Sequence, residues 1–93
     1  MKWDTYGFVI SSRNRVKVIK CLFKHPKTPK QISIQTGTAL AHVSRILAEL
    51  TRESITLCIN PNRVKGRVYQ LTELGENLAK LLEKNSAEEE HSS

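Results

Sequence analysis

Aromatic residues, cysteines and long apolar runs are scarce in this sequence of 93 residues. Aromatic residues make up 5% of the chain, so a core has to be built mainly from isoleucine, leucine and valine. No apolar run approaches the roughly 20 residues that a membrane-spanning helix needs. The first residues, MKWD, lack the basic start and the apolar block of a signal peptide. We therefore expect a cytoplasmic protein with no membrane partner, and a chain of this length gives one domain with a modest core.

The two cysteines and three histidines show no spacing typical of metal ligands. We therefore predict no metal site and no other cofactor. Cys21 and Cys58 each lie in a segment with an apolar pattern, where a free cysteine usually serves as a small buried hydrophobic residue. A redox-sensing pair is the alternative that the sequence leaves open.

Motifs of catalysis are also missing, since the chain has neither a glycine-rich phosphate loop nor a nucleophile elbow. Ser44 and His42 are neighbours on one predicted helix and do not form a catalytic pair. The acidic residues near the end of the chain suit helix-stabilising pairs such as Glu76 with Lys80. We predict no catalytic residues and expect that the protein is not an enzyme.

Acidic residues are almost absent from the middle of the chain. Between Arg13 and Arg67 there are twelve lysines and arginines but two glutamates, whereas six glutamates and two lysines follow from Glu73 onward. Such asymmetry predicts that the middle segment meets a polyanionic partner. A solvated basic surface is the alternative.

The two ends of the chain differ from the part between them. The stretch WDTYGFVI predicts an N-terminal arm over 1–10, either extended and irregular or a single helical turn. The acidic stretch SAEEEHSS predicts a disordered tail over 85–93. A folded domain is expected over 11–84.

The folded domain begins with a predicted helix that Ser11 or Ser12 caps and that ends at the dipeptide His25-Pro26. Its apolar residues have the spacing of one buried helical face. They are Val16, Ile19, Leu22 and Phe23.

The stretch 28–53 predicts a second helix, a tight turn and a third helix. Thr28 and Gln31 form a capping box around a proline at the first helical position. Gly37 suits the left-handed conformation of a residue that ends this helix.

Thr38 is expected to cap the next helix, over 39–53. One face of that helix is apolar, with Val43, Ile46, Leu47 and Leu50, and the opposite face carries Ala41, Arg45, Ala48 and Arg52.

The apolar period then changes from helical to alternating. Ile55, Leu57 and Ile59 alternate with polar residues or cysteine, and a second alternating stretch covers 67–71. The turn residues between them predict a β-hairpin with a basic tip. Thr72 is expected to cap a last helix with an apolar seam of Leu74, Leu78, Leu81 and Leu82.

This order of elements is that of a winged helix-turn-helix, a mainly α fold with a three-helix core, a two-stranded wing and a C-terminal helix. The exposed face of the third helix suits the major groove, because small side chains allow close approach and Arg45 can pair with guanine. Base contacts are expected from Thr38, Ala39, Leu40, Ala41, His42, Ser44 and Arg45. Contacts to the DNA backbone are expected from Thr28, Lys30, Arg63, Lys65 and Arg67.

Two stretches, TPKQISIQTGTALAHVSRILAEL and LCINPNRVKGRVYQLTELG, resemble winged-helix transcription regulators of archaea and bacteria. These are related to the multiple-antibiotic-resistance and arsenic-repressor regulators, and the chain is most similar to small archaeal members over about 9–82. The resemblance implies that residues 39–45 enter the major groove, that 63–67 lie on the wing, and that the protein is a homodimer on palindromic double-stranded DNA. Such regulators often have glycine where Ser54 stands, which predicts a helix end without a left-handed residue.

Two other classes of function remain open. A winged helix can serve as a protein-interaction adaptor, which would need apolar anchors on the third helix or the wing, where Leu40 and Val64 are the candidates. RNA binding would need exposed aromatic residues for stacking, and none is predicted on these faces. The dimer surface is expected to be the N-terminal arm, the leucine-rich last helix, or both.

Overall fold

The computed structural model describes residues 3–92, with side chains described over 4–84. Within this range the chain forms five helices and a two-stranded antiparallel sheet. The helices are α1 (Trp3–Ile10), α2 (Arg13–Leu22), α3 (Pro29–Thr36), α4 (Leu40–Arg52) and α5 (Glu73–Ser92), and the strands are β1 (Thr56–Cys58) and β2 (Tyr69–Leu71). The predicted order of helices and hairpin is confirmed. None of the helices described is both long enough and apolar enough to cross a bilayer.

The N-terminal segment is a helix of eight residues, so of the two predicted alternatives the extended or irregular arm is wrong and the helical one is nearer, although it is longer than a single turn. Val9 is fully buried in the same core as the other helices, and Tyr6 and Phe8 pack against that core. Burial of these side chains stabilises helical backbone in spite of the glycine at position 7, because packing outweighs a propensity cost of about 1 kcal/mol. Met1 and Lys2 lie outside the described residues.

Helix α2 begins as predicted and ends earlier than predicted. The Ser12 hydroxyl accepts a hydrogen bond from the backbone of Arg15, which confirms the N-cap. The helix ends at Leu22 because Lys24 adopts a left-handed conformation with φ 65°, before the dipeptide His25-Pro26 is reached. Its fully buried positions are Val18, Ile19 and Leu22, whereas Val16 and Phe23 are partly buried.

The turn between α3 and α4 has the predicted left-handed residue but a different cap. Thr28 and Gln31 form the capping box, and Gly37 has φ 69°. The predicted cap at Thr38 is wrong, because Ala39 occupies the N-cap of α4 without a side-chain hydrogen bond. Thr38 is turned inward and buried, and its carbonyl oxygen accepts a hydrogen bond of 2.6 Å from the Ser33 hydroxyl.

The hairpin is confirmed, but its buried face is not the predicted one. Thr56 pairs with Leu71 and is buried, whereas Leu57 and Ile59 are 37% and 47% exposed. Ile55 is buried next to Thr56 because it belongs to the connection from α4, where its amide binds the Leu50 carbonyl oxygen. The buried Thr56 hydroxyl is satisfied by that of Thr51, at 2.8 Å. The alternating pattern therefore begins one residue later than the sequence suggests.

Helix α5 begins at the predicted cap, where the Thr72 hydroxyl accepts a hydrogen bond from the amide of Gly75. Leu78, Ala79 and Leu82 are buried on its inner face. The helical backbone continues to Ser92, through the segment for which the sequence predicts disorder. Alanine and the three glutamates in this segment favour helix, and this local preference extends the helix beyond the core.

Candidate nucleic-acid interface

The outer face of α4 is exposed, and it is composed as the sequence predicted. Its inner face, with Val43, Ile46, Leu47 and Leu50, is buried. The outer face carries two arginines and three short, uncharged side chains, and all five residues are exposed. They are Ala41, Ser44, Arg45, Ala48 and Arg52. The backbone of α4 is therefore accessible to a partner along most of its length.

Arg45 is free to meet a partner. Its side chain is exposed on the second turn of α4, and it makes no hydrogen bond or ion pair with any residue that the structure describes. A guanidinium that has no partner within its own domain has all of its N–H groups available to donate to an external acceptor. This is the property that a base-contacting arginine needs.

The residues around the start of α4 divide into exposed and buried positions. Ala39 and Leu40 are exposed, as the prediction of base contacts requires. Thr38 is buried, with 9% of its surface exposed, so its side chain is covered by its own domain. We therefore leave Thr38 out of the interface, although the sequence pointed to it.

His42 lies on the flank of α4 and has a neighbour that the sequence did not reveal. Its Nδ1 is 3.4 Å from the side-chain nitrogen of Asn14, in the first turn of α2. The imidazole is exposed. The first turns of α2 and α4 therefore lie side by side.

A groove separates α4 from the hairpin loop and brings together six of the twelve predicted contact residues. From the start of α3 it includes Thr28 and Lys30, from α4 it includes Leu40 and Ser44, and from the loop it includes Lys65 and Arg67. The other lining residues are Pro29, Ala48, Val64, Gly66 and Tyr69. No acidic residue lines it among the residues described, so the charged groups of the groove are all cationic, next to hydroxyl groups and to apolar side chains such as Leu40 and Val64.

The basic loop between the strands, residues 61–67, is the wing, and Asn60 holds its base. The Asn60 side chain donates to the Gly66 carbonyl oxygen at 3.1 Å and accepts from the Val68 amide at 2.7 Å. The Arg67 Nε donates to the carbonyl oxygen of Arg63 at 2.6 Å. Every residue from Pro61 to Arg67 is exposed. The wing thus has a defined base and exposed cationic side chains.

Asn60 and Tyr69 are two residues of this surface that sequence reasoning missed. Asn60 precedes a Pro-Asn pair, and an asparagine before such a pair is a typical signal of side-chain bonding in a turn. Tyr69 lines the groove but is half-buried, so it is not one of the exposed aromatic residues whose absence the sequence predicted. Its backbone pairs with that of Lys27, which ties the wing to the start of α3.

Thr28 is partly occupied within its own helix. Its hydroxyl accepts from the Gln31 amide at 3.2 Å and lies 3.3 Å from the Gln31 side-chain oxygen. Lys30, in the first turn of the same helix, is exposed. Of the two predicted backbone contacts at this helix start, Lys30 has the freer side chain.

The cysteines are unpaired, and neither is fully buried. The thiol of Cys21 donates to the Gln35 side-chain oxygen at 3.2 Å, and that of Cys58 donates to Asn60 at 3.4 Å. The prediction of buried hydrophobic cysteines holds only in part, because Cys21 packs against the core but both thiols are partly exposed and lie beside an amide. Within the part of the chain that the structure describes, no three His, Cys, Asp or Glu residues gather into a potential metal site.

Comparisons with known proteins show similarity in structure only. No family model and no curated protein sequence matches the chain. The MarR family transcriptional regulator SPO1453 from Silicibacter pomeroyi DSS-3 superposes with a TM-score of 0.77 at 13% identity, over 96% of this chain and 66% of that one. Quinone-bound YodB from B. subtilis gives 0.78 at 21% identity, over 96% and 94% of the two chains.

A third structure is a DNA-binding domain. The homodimeric winged helix-turn-helix domain of Mb0332 from Mycobacterium bovis, a possible ArsR-family regulator, gives a TM-score of 0.66 at 22% identity, over 92% of this chain and 77% of that one. SPO1453 and Mb0332 are described as regulators and not as enzymes. The chain spans slightly less than two thirds of SPO1453 but nearly all of YodB. The fold of this chain is therefore the winged helix-turn-helix found in regulators of the MarR and ArsR families.

Proposed function

We propose that this protein is a transcription regulator that binds double-stranded DNA in the cytoplasm. Helix α4 enters the major groove by its first two turns, and the wing contacts the backbone or the adjacent minor groove. Base contacts come from Ala39, Leu40, Ala41, His42, Ser44 and Arg45. Backbone contacts come from Lys30, Arg63, Lys65 and Arg67, with Thr28 at the start of α3.

The observation that carries this proposal is the composition of one continuous surface. The outer face of α4, the start of α3 and the wing border the same groove, and no described lining residue is acidic. Phosphate contacts supply most of the affinity for DNA, and base-edge contacts supply the specificity. On this surface, lysine and arginine side chains are available for phosphate contacts, and the exposed Arg45 is available for a base contact.

The few acidic residues in the basic middle segment do not oppose DNA at this surface. Glu49 lies on the flank of α4 and is paired with Arg15 at 3.4 Å. Glu53 follows the last turn of α4, at the end away from the groove-entering residues. The cationic potential of the surface is therefore retained where the duplex would lie.

We further propose that the protein acts as a homodimer on two half-sites. The winged domain of Mb0332 is described as homodimeric. In this chain α1 and α5 are the candidate dimer surfaces, and Ile10 at the end of α1 is 51% exposed. A dimer doubles the number of phosphate contacts, and a two-fold axis matches a palindromic site.

An adaptor function is supported less well by the surface. Apolar anchors for a protein partner should gather on α4 or the wing. Leu40 and Val64 are exposed there, as predicted. Three other exposed apolar residues lie away from the groove, namely Ile34, Leu57 and Ile59. Lys30, Lys65 and Arg67 line the groove together with Leu40 and Val64, and these cations suit nucleic acid better than an apolar protein surface.

Selection from random duplex DNA at two salt concentrations tests the proposal. A sequence-specific regulator should enrich a palindromic motif at both concentrations, and its affinity should fall with a slope of about 0.9 in log K per phosphate contact. A protein that coats DNA generally would show the salt dependence without a motif. Absence of binding to any duplex at low salt would rule out DNA as the partner.

A further inference from the structure

The contact between Asn14 and His42 joins two helix starts on the side of α4 away from the wing. Asn14 is in the first turn of α2, and His42 is in the first turn of α4, the part that is proposed to enter the major groove. The two side-chain nitrogens are 3.4 Å apart. Asn14 is half-buried, whereas His42 is exposed and keeps the other edge of its ring open.

The chemistry of this pair determines where the imidazole proton lies. The nitrogen of an asparagine amide donates hydrogen bonds and accepts none. With the amide nitrogen of Asn14 as the donor, the Nδ1 of His42 accepts, and this pairing favours the tautomer that carries its proton on Nε2. The open edge of the ring then carries a single donor, the Nε2–H group.

We propose that Asn14 is a positioning residue for DNA recognition, which fixes the orientation and the tautomer of His42 so that Nε2–H is offered to an acceptor on the duplex. This inference rests on the proposed function and adds a residue of α2 to it. Asn14 itself does not touch the DNA. Its effect on binding passes through the imidazole.

The acceptor has two possible sources with the same chemistry. Purine N7, guanine O6 and thymine O4 are base-edge acceptors on the floor of the major groove, and a phosphate oxygen is an acceptor at its wall. His42 lies on the flank of α4, between the face that would meet bases and the side of the groove. Both sources suit a single N–H donor there, and substituted duplexes distinguish them.

Packing gives no sufficient reason for the pair. Both side chains lie outside the buried core, and α2 already contacts α4 through the Arg15 ion pair with Glu49. A hydrogen bond between two polar side chains at the surface contributes little to stability, because water can replace either partner. A bond of this size still shifts the populations of ring orientation and tautomer of His42 by several-fold, and that shift is its distinctive effect.

The test uses the duplex selected by the wild-type protein and two scans of it. In one scan the base-edge acceptors are removed in turn, by 7-deaza purines for N7 and by base-pair replacement for guanine O6 and thymine O4, and in the other each phosphate is replaced by methylphosphonate. Wild type should show a position, base or phosphate, at which removal of the acceptor weakens binding about 3- to 10-fold, as expected for one hydrogen bond. His42→Ala should abolish the penalty at that position.

Asn14→Ala should reduce the same penalty to below about half its wild-type value, and leave the penalties that depend on Arg45 unchanged. In the double variant, Asn14→Ala should add nothing to His42→Ala, because a residue that acts through another is not additive with it. Asn77→Ala, which removes an amide side chain from α5, is the matched control and should keep every penalty. Thermal unfolding verifies that each variant is folded.

Three results would overturn the inference. One is a penalty that depends on His42 but is kept in full by Asn14→Ala, and the second is additive effects of the two substitutions. The third is the absence of any position, base or phosphate, that depends on His42. Failure of the wild type to bind any duplex is a separate result, seen before any variant is made, which overturns the proposed function and this inference with it.

Discussion

Gly75 lies so close to the residue before β1 that a Cβ added to it would stand 2.2 Å from the carbonyl oxygen of Ile55 and 3.0 Å from the Leu71 side chain of β2. The atom in the way is backbone, so no side-chain rotation relieves the clash. We expect Gly75→Ala to lower the free energy of unfolding by about 2–3 kcal/mol, because α5 has to move off the hairpin. Chemical denaturation measures the decrease.

Gly7 is the matched control for this prediction. It lies within α1, and a Cβ there would meet nothing within 4 Å. Gly7→Ala should raise stability by up to about 1 kcal/mol, because alanine is the better helix former. Equal effects of the two substitutions would contradict the role of Gly75 in this close approach.

Ser54 ends α4 in a left-handed conformation with φ 61°, although the sequence predicted no such residue there. A Cβ in this region costs roughly 1–2 kcal/mol, and glycine avoids that cost but has more backbone entropy to lose on folding. We expect Ser54→Gly to raise the free energy of unfolding by about 0.5–1 kcal/mol, measured by denaturation. A decrease in stability of that size would mean that the Ser54 side chain contributes more than its backbone strain costs.

Arg15 connects three helices. Its guanidinium lies 3.9 Å from the centre of the Phe8 ring, donates to the Phe8 carbonyl oxygen at 2.9 Å, and pairs with Glu49 on α4. Arg15→Met keeps the aliphatic stem and removes these interactions, so it should cost about 1–2 kcal/mol. Hydrogen exchange should show faster exchange of the α1 amides.

Arg13→Met provides the control for Arg15. Arg13 is in the same turn of α2, is exposed, and has no hydrogen bond or ion pair to a residue within the described part of the chain. Its substitution should leave α1 exchange unchanged. If both variants accelerate exchange alike, the α1 attachment depends on general charge and not on the Arg15 interactions.

Arg45 is expected to carry sequence preference. Arg45→Ala should cost about 1–3 kcal/mol on the selected duplex and much less on unrelated DNA, because a base contact discriminates among sequences. Arg52→Ala is the control, since Arg52 lies on the same face in the last turn of α4 and is also exposed. Fluorescence anisotropy titrations measure both. Similar decreases in affinity from the two variants would indicate that Arg45 acts only through its charge.

The wing is expected to act through phosphates. The double variant Lys65→Ala/Arg67→Ala should weaken binding to all sequences and lower the slope of log K against log salt by about 0.9 for each phosphate that the wing no longer neutralises. The matched variant Lys80→Ala/Lys84→Ala removes two exposed cations from α5 and should change the slope much less. An unchanged slope in the wing variant would exclude the wing from the interface.

Local signals in the sequence were sufficient for most element boundaries. Three of these signals each depend on residues within four positions of each other, so they can be recognised from the sequence alone. They are the capping box at Thr28, the left-handed Gly37 and the cap at Thr72. The buried face of α4 followed equally from its period. An amphipathic helix buries its apolar face, so its opposite face is exposed whichever elements it packs against. Most of the predicted contact residues of α4 are exposed for this reason.

Contacts between distant segments could not be predicted in the same way. Nothing near Thr38 indicates that it turns inward, and nothing near Leu57 indicates that Thr56 takes the buried position in β1. The burial of Thr56 depends on the residue at which the connection from α4 ends and the strand begins. Ile55 and Thr56 are consecutive and both buried, so Ile55 belongs to the connection and Thr56 to the strand. A one-residue shift in that connection reverses the faces of a strand.

The sequence by itself determined the order of elements, the buried face of α4 and the basic character of the segment that contains it, because periodicity, capping and charge are properties of neighbouring residues. Tertiary structure alone decided that the N-terminal segment is a helix in the core, that Gly75 fits under Ile55, and that Asn14 meets His42. Each of these depends on two segments far apart in the chain whose distance is set by packing of the whole core.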